Sequence, residues 1–154
     1  SPPLVKQMSL RIRDVLTELD PEHRGIFARN QAALATELDQ LDGEIRARLQ
    51  GLSSRRFLVF HPAWGYFAAT YGLEQVPIER DGKTPGTRAL AALIEQARRE
   101  DISVIFVQPQ FDRRYAAQVA DAIAGRVVAM DPLAPDYFGN LRQVADVLAG
   151  ALGP

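Results

Sequence analysis

RFLVFHPAWGYFAATYGLEQVPIE, residues 56–79, decides how this chain folds. The run RFLVFH (56–61) is rich in β-branched and aromatic residues and reads as a strand. It stops at Pro62, because proline brings no amide hydrogen and biases the residue before it to extended geometry. WGYFAATYG (64–72) then reads as a small helix, and LEQVPIE (73–79) as a second strand. The texture recurs: ISVIFVQP (102–109) and RVVAMDPL (126–133) read as strands. The helical stretches TRALAALIEQARRED, DRRYAAQVADAIA and DYFGNLRQVADVLAGAL lie between and after them. Strands alternating with helices of this length require crossover connections. The fold class is therefore α/β, with a four-stranded, mostly parallel sheet flanked by helices. RDGKTPG (80–86), rich in turn formers, is the one evident loop.

Upstream of that region the period changes. Leu4, Val5, Met8, Ile12, Val15, Leu16 and Leu19 recur at three- and four-residue steps, one amphipathic helix ending at Asp20-Pro21. Asp20 is expected to cap the next helix. Phe27, Leu34, Leu38, Leu41, Ile45 and Leu49 form a single stripe through that long helix, which ends near Gly51 and has Gly43 as its weak point. The domain reading is 1–52 as connecting helices and 53–154 as an α/β lobe. Ser1 reads as an N-cap with Pro2 in the first turn, so the sequence is expected to be one part of a longer protein.

Composition bounds the function. With 154 residues, 47% hydrophobic and 24% charged, and a formal net charge of −1, the chain is an ordinary globular one. No basic excess exists to neutralise phosphates, so nucleic acid is not an expected partner. There are no cysteines, which excludes disulfides, thiolate metal sites and cysteine nucleophiles. No GxGxxG follows the first strand, and neither GxxxxGK[ST] nor GxSxG occurs. Nucleotide-binding and serine-hydrolase folds lose support.

Ligands of open parallel sheets sit outside the carboxyl ends of the strands. Those ends carry His61, Glu79, Gln108-Pro109-Gln110 and Asp131-Pro132. In two of them a metal-ligand type is followed by proline, which holds the ligand at the rim. An imidazole and a carboxylate together suit an ion of zinc type. His61 and Asp131 are the candidate metal ligands. Two donors do not complete a tetrahedral shell, and His23, the only other histidine, reads as a surface residue at the start of the long helix. Each candidate also has a structural reading, His61 as packing and Asp131 as a turn. Trp64, Tyr66, Phe67 and Tyr71 read as packing the first helix of the α/β region onto the sheet.

Three separated segments carry a resemblance. FLVFHPAWGYFAATYGLEQ (57–75), VIFVQPQF (104–111) and VVAMDPLAPDYFGNLRQ (127–143) resemble, in order, motifs of the periplasmic metal-binding proteins of zinc and manganese ABC transporters, the cluster A-I, ZnuA/TroA-like solute-binding proteins. The resemblance implies a two-lobe protein bridged by a rigid helix, with metal held between the lobes by two amino-terminal histidines and two carboxyl-terminal ligands. That carboxyl-terminal pair falls on His61 and Asp131. It implies zinc as transported ligand, with manganese second, an ABC transporter permease as partner, and the missing amino-terminal lobe as the other half of the site. A periplasmic or extracellular, membrane-anchored location is implied, and no enzymatic activity. Gln108 stands where many relatives carry Glu. The alternatives are a small zinc-dependent α/β hydrolase or an adhesin-like interaction protein. If the other lobe is absent, part of the stripe Phe27 to Leu49 is expected to be exposed and to pair between chains.

Overall fold

The computed structural model describes residues 1–79, 82–111 and 113–154. Arg80 and Asp81 of the expected loop and Asp112 of the expected helix lie outside the described residues. The chain divides into two compact units, Ser1–Gln50 and Gly51–Pro154.

The first unit is a helical hairpin. Helix α1 spans Pro2–Leu19, a 3-10 turn spans Pro21–His23 and helix α2 spans Arg24–Arg48. Lys6 pairs with Asp39 at 2.6 Å, and Gln31 donates to the Ser9 hydroxyl at 3.2 Å. Partners of rising number on α1 thus meet partners of falling number on α2, which makes the two helices antiparallel. The face α1 turns to α2 carries only part of its apolar stripe: Ser9 is buried there, and Ile12 and Leu16 line one groove with Phe27 and Leu34 of α2, whereas Met8 is 60% and Leu19 77% exposed. On α2 the stripe is buried from Leu38 through Leu41 and Ile45 to Leu49, with Phe27 and Leu34 half-buried. Phe27 and Leu34 of the α2 stripe are thus only half-covered, and larger exposed apolar surface lies on α1, because helical periodicity says which residues share a face and not which face finds a cover.

Asp20 does not cap a helix through its side chain. Its carboxylate instead accepts from His23 Nδ1 at 2.7 Å, and His23 sits in the 3-10 turn before α2 rather than within it.

The second unit is α/β. Strands β1 (Arg56–Val59), β2 (Glu74–Pro77), β3 (Val104–Val107) and β4 (Arg126–Ala129) form one sheet in the order β2-β1-β3-β4. All three pairings are parallel. The elements between are α3 (Gly65–Tyr71), α4 (Thr87–Arg99) and α5 (Arg113–Ala122), and α6 (Tyr137–Leu152) follows β4. Each strand is shorter than the apolar run that announced it. Single backbone bonds continue the pairing past these bounds, as from Phe60 N to Phe106 O and from Met130 N to Val107 O, and the hydrophobic run continues with them into the rim.

Alternation along the strands builds two apolar faces. Leu58, Phe60, Ile105 and Val107 join Ala97 of α4 and Ala116, Val119 and Ala120 of α5 in one cluster. Phe57 and Phe106, one residue out of phase, meet edge to face at 5.9 Å. A sheet covered on both sides explains why its central strands read as continuous hydrophobic runs. In α3 the aromatic reading holds for Phe67 and Tyr71, and for Trp64 beside it, all buried. Tyr66 is 76% exposed, since it stands on the opposite face of so short a helix.

The strand order sets the site. From β1 the chain crosses to β2 on one side, then returns over β1 to β3 on the other. The order therefore reverses between β1 and β3, and in open parallel sheets the carboxyl ends at such a reversal are where ligands sit.

Candidate metal centre

His61 stands at that reversal point. The ladder persists to the rim through Phe60 N to Phe106 O at 2.8 Å, after which Pro62 can donate nothing and Ala63 N turns back onto His61 O at 2.9 Å. The imidazole is held on two sides. Its Nδ1 lies 3.2 Å from Glu79 Oε2, and its face stacks on the Phe111 ring at 5.2 Å with 23° between planes. The His61 side chain is 38% exposed, that of Glu79 only 8%.

Asp131 follows β4 at the same rim. Its Oδ1 accepts from Leu133 N and from Gln110 Nε2, each at 2.9 Å, and its backbone carbonyl accepts from Asn140 Nδ2 at 2.8 Å. The bond to Leu133 N is an Asx-type turn, which Asp forms readily. Asn140 lies in the first turn of α6, whose N-cap Asp136 accepts from Gly139 N at 2.9 Å. A capped helix thus braces the segment that carries the carboxylate.

His61 and Asp131 are separated in the sheet by β3, and the loop after β3 reaches both. Gln110 bonds Asp131 while its neighbour Phe111 stacks on His61. One imidazole and one carboxylate are therefore oriented at one edge by two consecutive residues. Among the described residues no group of three or more His, Cys, Asp or Glu side chains is placed to hold a metal ion. His23 lies in the helical unit, engaged with Asp20.

Gln108 is buried, and its Nε2 finds no hydrogen-bond partner among the described residues. The role of Glu79 beside His61, the Phe111 stack and the Asn140 brace were not legible in the sequence. Each depends on strand order and register, which no local pattern encodes. The only available signal for Glu79 was its place at a strand end.

A family model described as the periplasmic zinc-uptake complex component A matches residues 1–151. The high-affinity zinc uptake system protein ZnuA of Paracoccus denitrificans is 32% identical over 152 residues, covering 92% of this chain and 47% of that protein. A crystal structure of ZnuA superposes with a TM-score of 0.96 at 40% identity, covering 99% of this chain and 60% of that one. A zinc-bound ZnuA with residues 138–173 deleted gives 0.95 at 40% identity, covering 100% and 59%. The chain spans about half the length of the curated relatives it matches.

Proposed function

Since this chain belongs to the periplasmic zinc-uptake component A family, we propose that it forms the carboxyl-terminal part of a solute-binding protein that captures zinc and delivers it to an ABC permease. In this reading residues 53–154 are the lobe that carries half of the metal site, and residues 1–52 are the helices connecting it to the other half. The protein works on the periplasmic or extracellular side, anchored to the membrane, and is not an enzyme.

The observation that carries the reading is the pair at the carboxyl rim. His61 and Asp131 are the proposed ligands, one nitrogen and one oxygen donor held by Gln110 and Phe111 of a single loop. That mixture suits zinc, with manganese second, because an imidazole favours the softer ion. Four-coordinate zinc needs two further donors, and the portion of the relatives' length that this chain does not match would supply them. No feature of the rim favours the hydrolase or adhesin readings. Self-association of the chain by itself would run through the apolar face of α1, and sedimentation over a range of concentration tests it.

Zinc titration into the full-length protein and its His61→Ala and Asp131→Ala variants tests the ligand assignment, with unfolding midpoints measured on the metal-free forms. Each variant loses one donor and is expected to bind at least about tenfold more weakly, a difference of about 1.4 kcal/mol. Unchanged affinity in both refutes the assignment.

A further inference from the structure

Glu79 is a buried carboxylate for which zinc capture, as set out above, has no use. The ladder register pairs Val59 with Pro77 of β2 and with Phe106 of β3. Two residues further along, the same register sets His61 opposite Glu79 on one side and Gln108 on the other. Backbone bonds keep it intact to the rim, with Glu79 N donating to Phe60 O at 3.0 Å. Gly82, with φ +72°, lies beside the carboxylate, since a Cβ built there would stand 3.6 Å from Glu79 Oε1. Burying a carboxylate is costly, and an apolar side chain would serve packing as well or better.

The chemistry of the contact is one-directional. A carboxylate oxygen only accepts, so Nδ1 of His61 carries the hydrogen and donates it to Glu79 Oε2. Nε2 is then left with its lone pair. The stack on Phe111 sets the tilt of the ring, so the two contacts together leave the Nε2 edge as the one available to a cation. The nitrogen a metal takes is decided by the hydrogen bond that the other nitrogen makes.

We propose that Glu79 is the positioning residue of the metal centre: it holds His61 as the Nδ1–H tautomer and presents Nε2 to the ion. The tautomer lock stands on this chain's own geometry, while its consequence for zinc rests on His61 being a ligand. A bound cation polarises the imidazole and strengthens the Nδ1–H bond to the buried carboxylate, so Glu79 contributes more in the loaded state than in the empty one.

The two halves are tested separately. In the 154-residue chain with 15N-labelled histidine, long-range proton–nitrogen correlation at about pH 8.5, where an ordinary imidazole is neutral, reads the tautomer of His61. His61→Ala identifies its signals against those of His23. The wild type is expected to show hydrogen on Nδ1, Glu79→Gln to keep it through the amide oxygen, and Glu79→Ala to lose that preference. Hydrogen on Nε2 in the wild type overturns the proposal. Zinc chloride is then titrated into the full-length protein. Glu79→Ala is expected to weaken binding about 10- to 100-fold, and Glu79→Gln, which keeps the acceptor but not the charge, by less than Glu79→Ala. If Glu79→Ala fails to fold, Glu79→Gln against the wild type carries the test, and unchanged affinity there overturns the role of the charge. Should Glu79→Ala bind zinc as the wild type does while His61→Ala does not, the positioning role fails and the ligand reading survives. Unchanged binding in His61→Ala sinks the ligand reading itself, whatever the tautomer.

Discussion

The helical unit and the α/β unit carry apolar residues of the same types, yet they use them in opposite ways. In Gly51–Pro154 the runs around Phe57, Ile105 and Val107 are sealed between helices and sheet. In Ser1–Gln50 the stripe of α1, from Leu4 through Met8 and Ile12 to Leu19, is exposed along its length. A sheet strand must bury its faces because neighbouring strands and crossovers are part of the same local topology. Within a two-helix hairpin α2 covers only one side of α1. Periodicity is equally strong in both places, so amphipathicity and burial are separate properties.

The sharpest way to break this comparison is truncation on each side of it. Phe57→Ala is expected to cost about 3–5 kcal/mol, because it empties a closed site beside Phe106. Leu19→Ala is expected to stay within about 0.5 kcal/mol, as for other surface changes. Urea unfolding of the metal-free chain gives both, and equal losses would show that the α1 face is covered in solution.

Glycines offer a second contrast. A Cβ at Gly125 would collide with the backbone carbonyl of Ser103, whereas one at Gly43 in α2 meets nothing within 4 Å. Gly125→Ala is expected to destabilise by about 1–3 kcal/mol. Gly43→Ala is expected to stabilise by about 0.5–1 kcal/mol, since the helix interior gains by losing unfolded-state freedom. Thermal midpoints moving in the same direction would contradict the packing described for one of the two units.

Capping differs as well. Asp136 holds Gly139 N at the start of α6, whereas Asp20 makes no cap bond. Asp136→Ala should cost about 0.5–2 kcal/mol and loosen the segment bracing Asp131. Asp20→Ala should cost under about 0.5 kcal/mol, having only an exposed contact to His23 to lose. Hydrogen exchange at the two helix starts resolves the difference.

The smallest expected effect is electrostatic. Glu74 at the start of β2 accepts from Arg56 Nε and Nη2, at 2.8 and 2.7 Å, and that hydrogen bonding holds its carboxyl below the usual range. A lowered folded value means that the contribution is present above the ordinary carboxylate value of about 4.3 and is lost as pH falls through the folded one. Glu74→Gln is expected to lower stability slightly near neutrality, with the difference from the wild type vanishing as pH falls through the folded value, so that the acid limb flattens. A difference that persists unchanged at low pH would assign the pair a packing role instead.

Much of the architecture was legible without coordinates. The strand, helix and strand of 56–79 announced the α/β class because proline placement, apolar runs and turn formers act over a few residues. The same local signals put His61 and Asp131 at strand ends, and the three motif segments pointed to the family that the whole-chain matches bear out. The sequence was misread where one pattern allowed two outcomes, as well as at the contacts that join distant segments. Tyr66 was grouped with its aromatic neighbours although its position on α3 turns it outward. Asp20 was read as a cap although His23 captures its carboxylate.

What the sequence determined by itself, then, was the set of elements and the residues available at their ends, because both follow from backbone preference and hydrophobic period. Only the tertiary structure decided which ends meet. Strand order β2-β1-β3-β4 brings Glu79 beside His61 and carries the Gln110-Phe111 step between His61 and Asp131. Register across a parallel sheet is chosen by the packing of all its faces at once, so no stretch of sequence read alone could contain it.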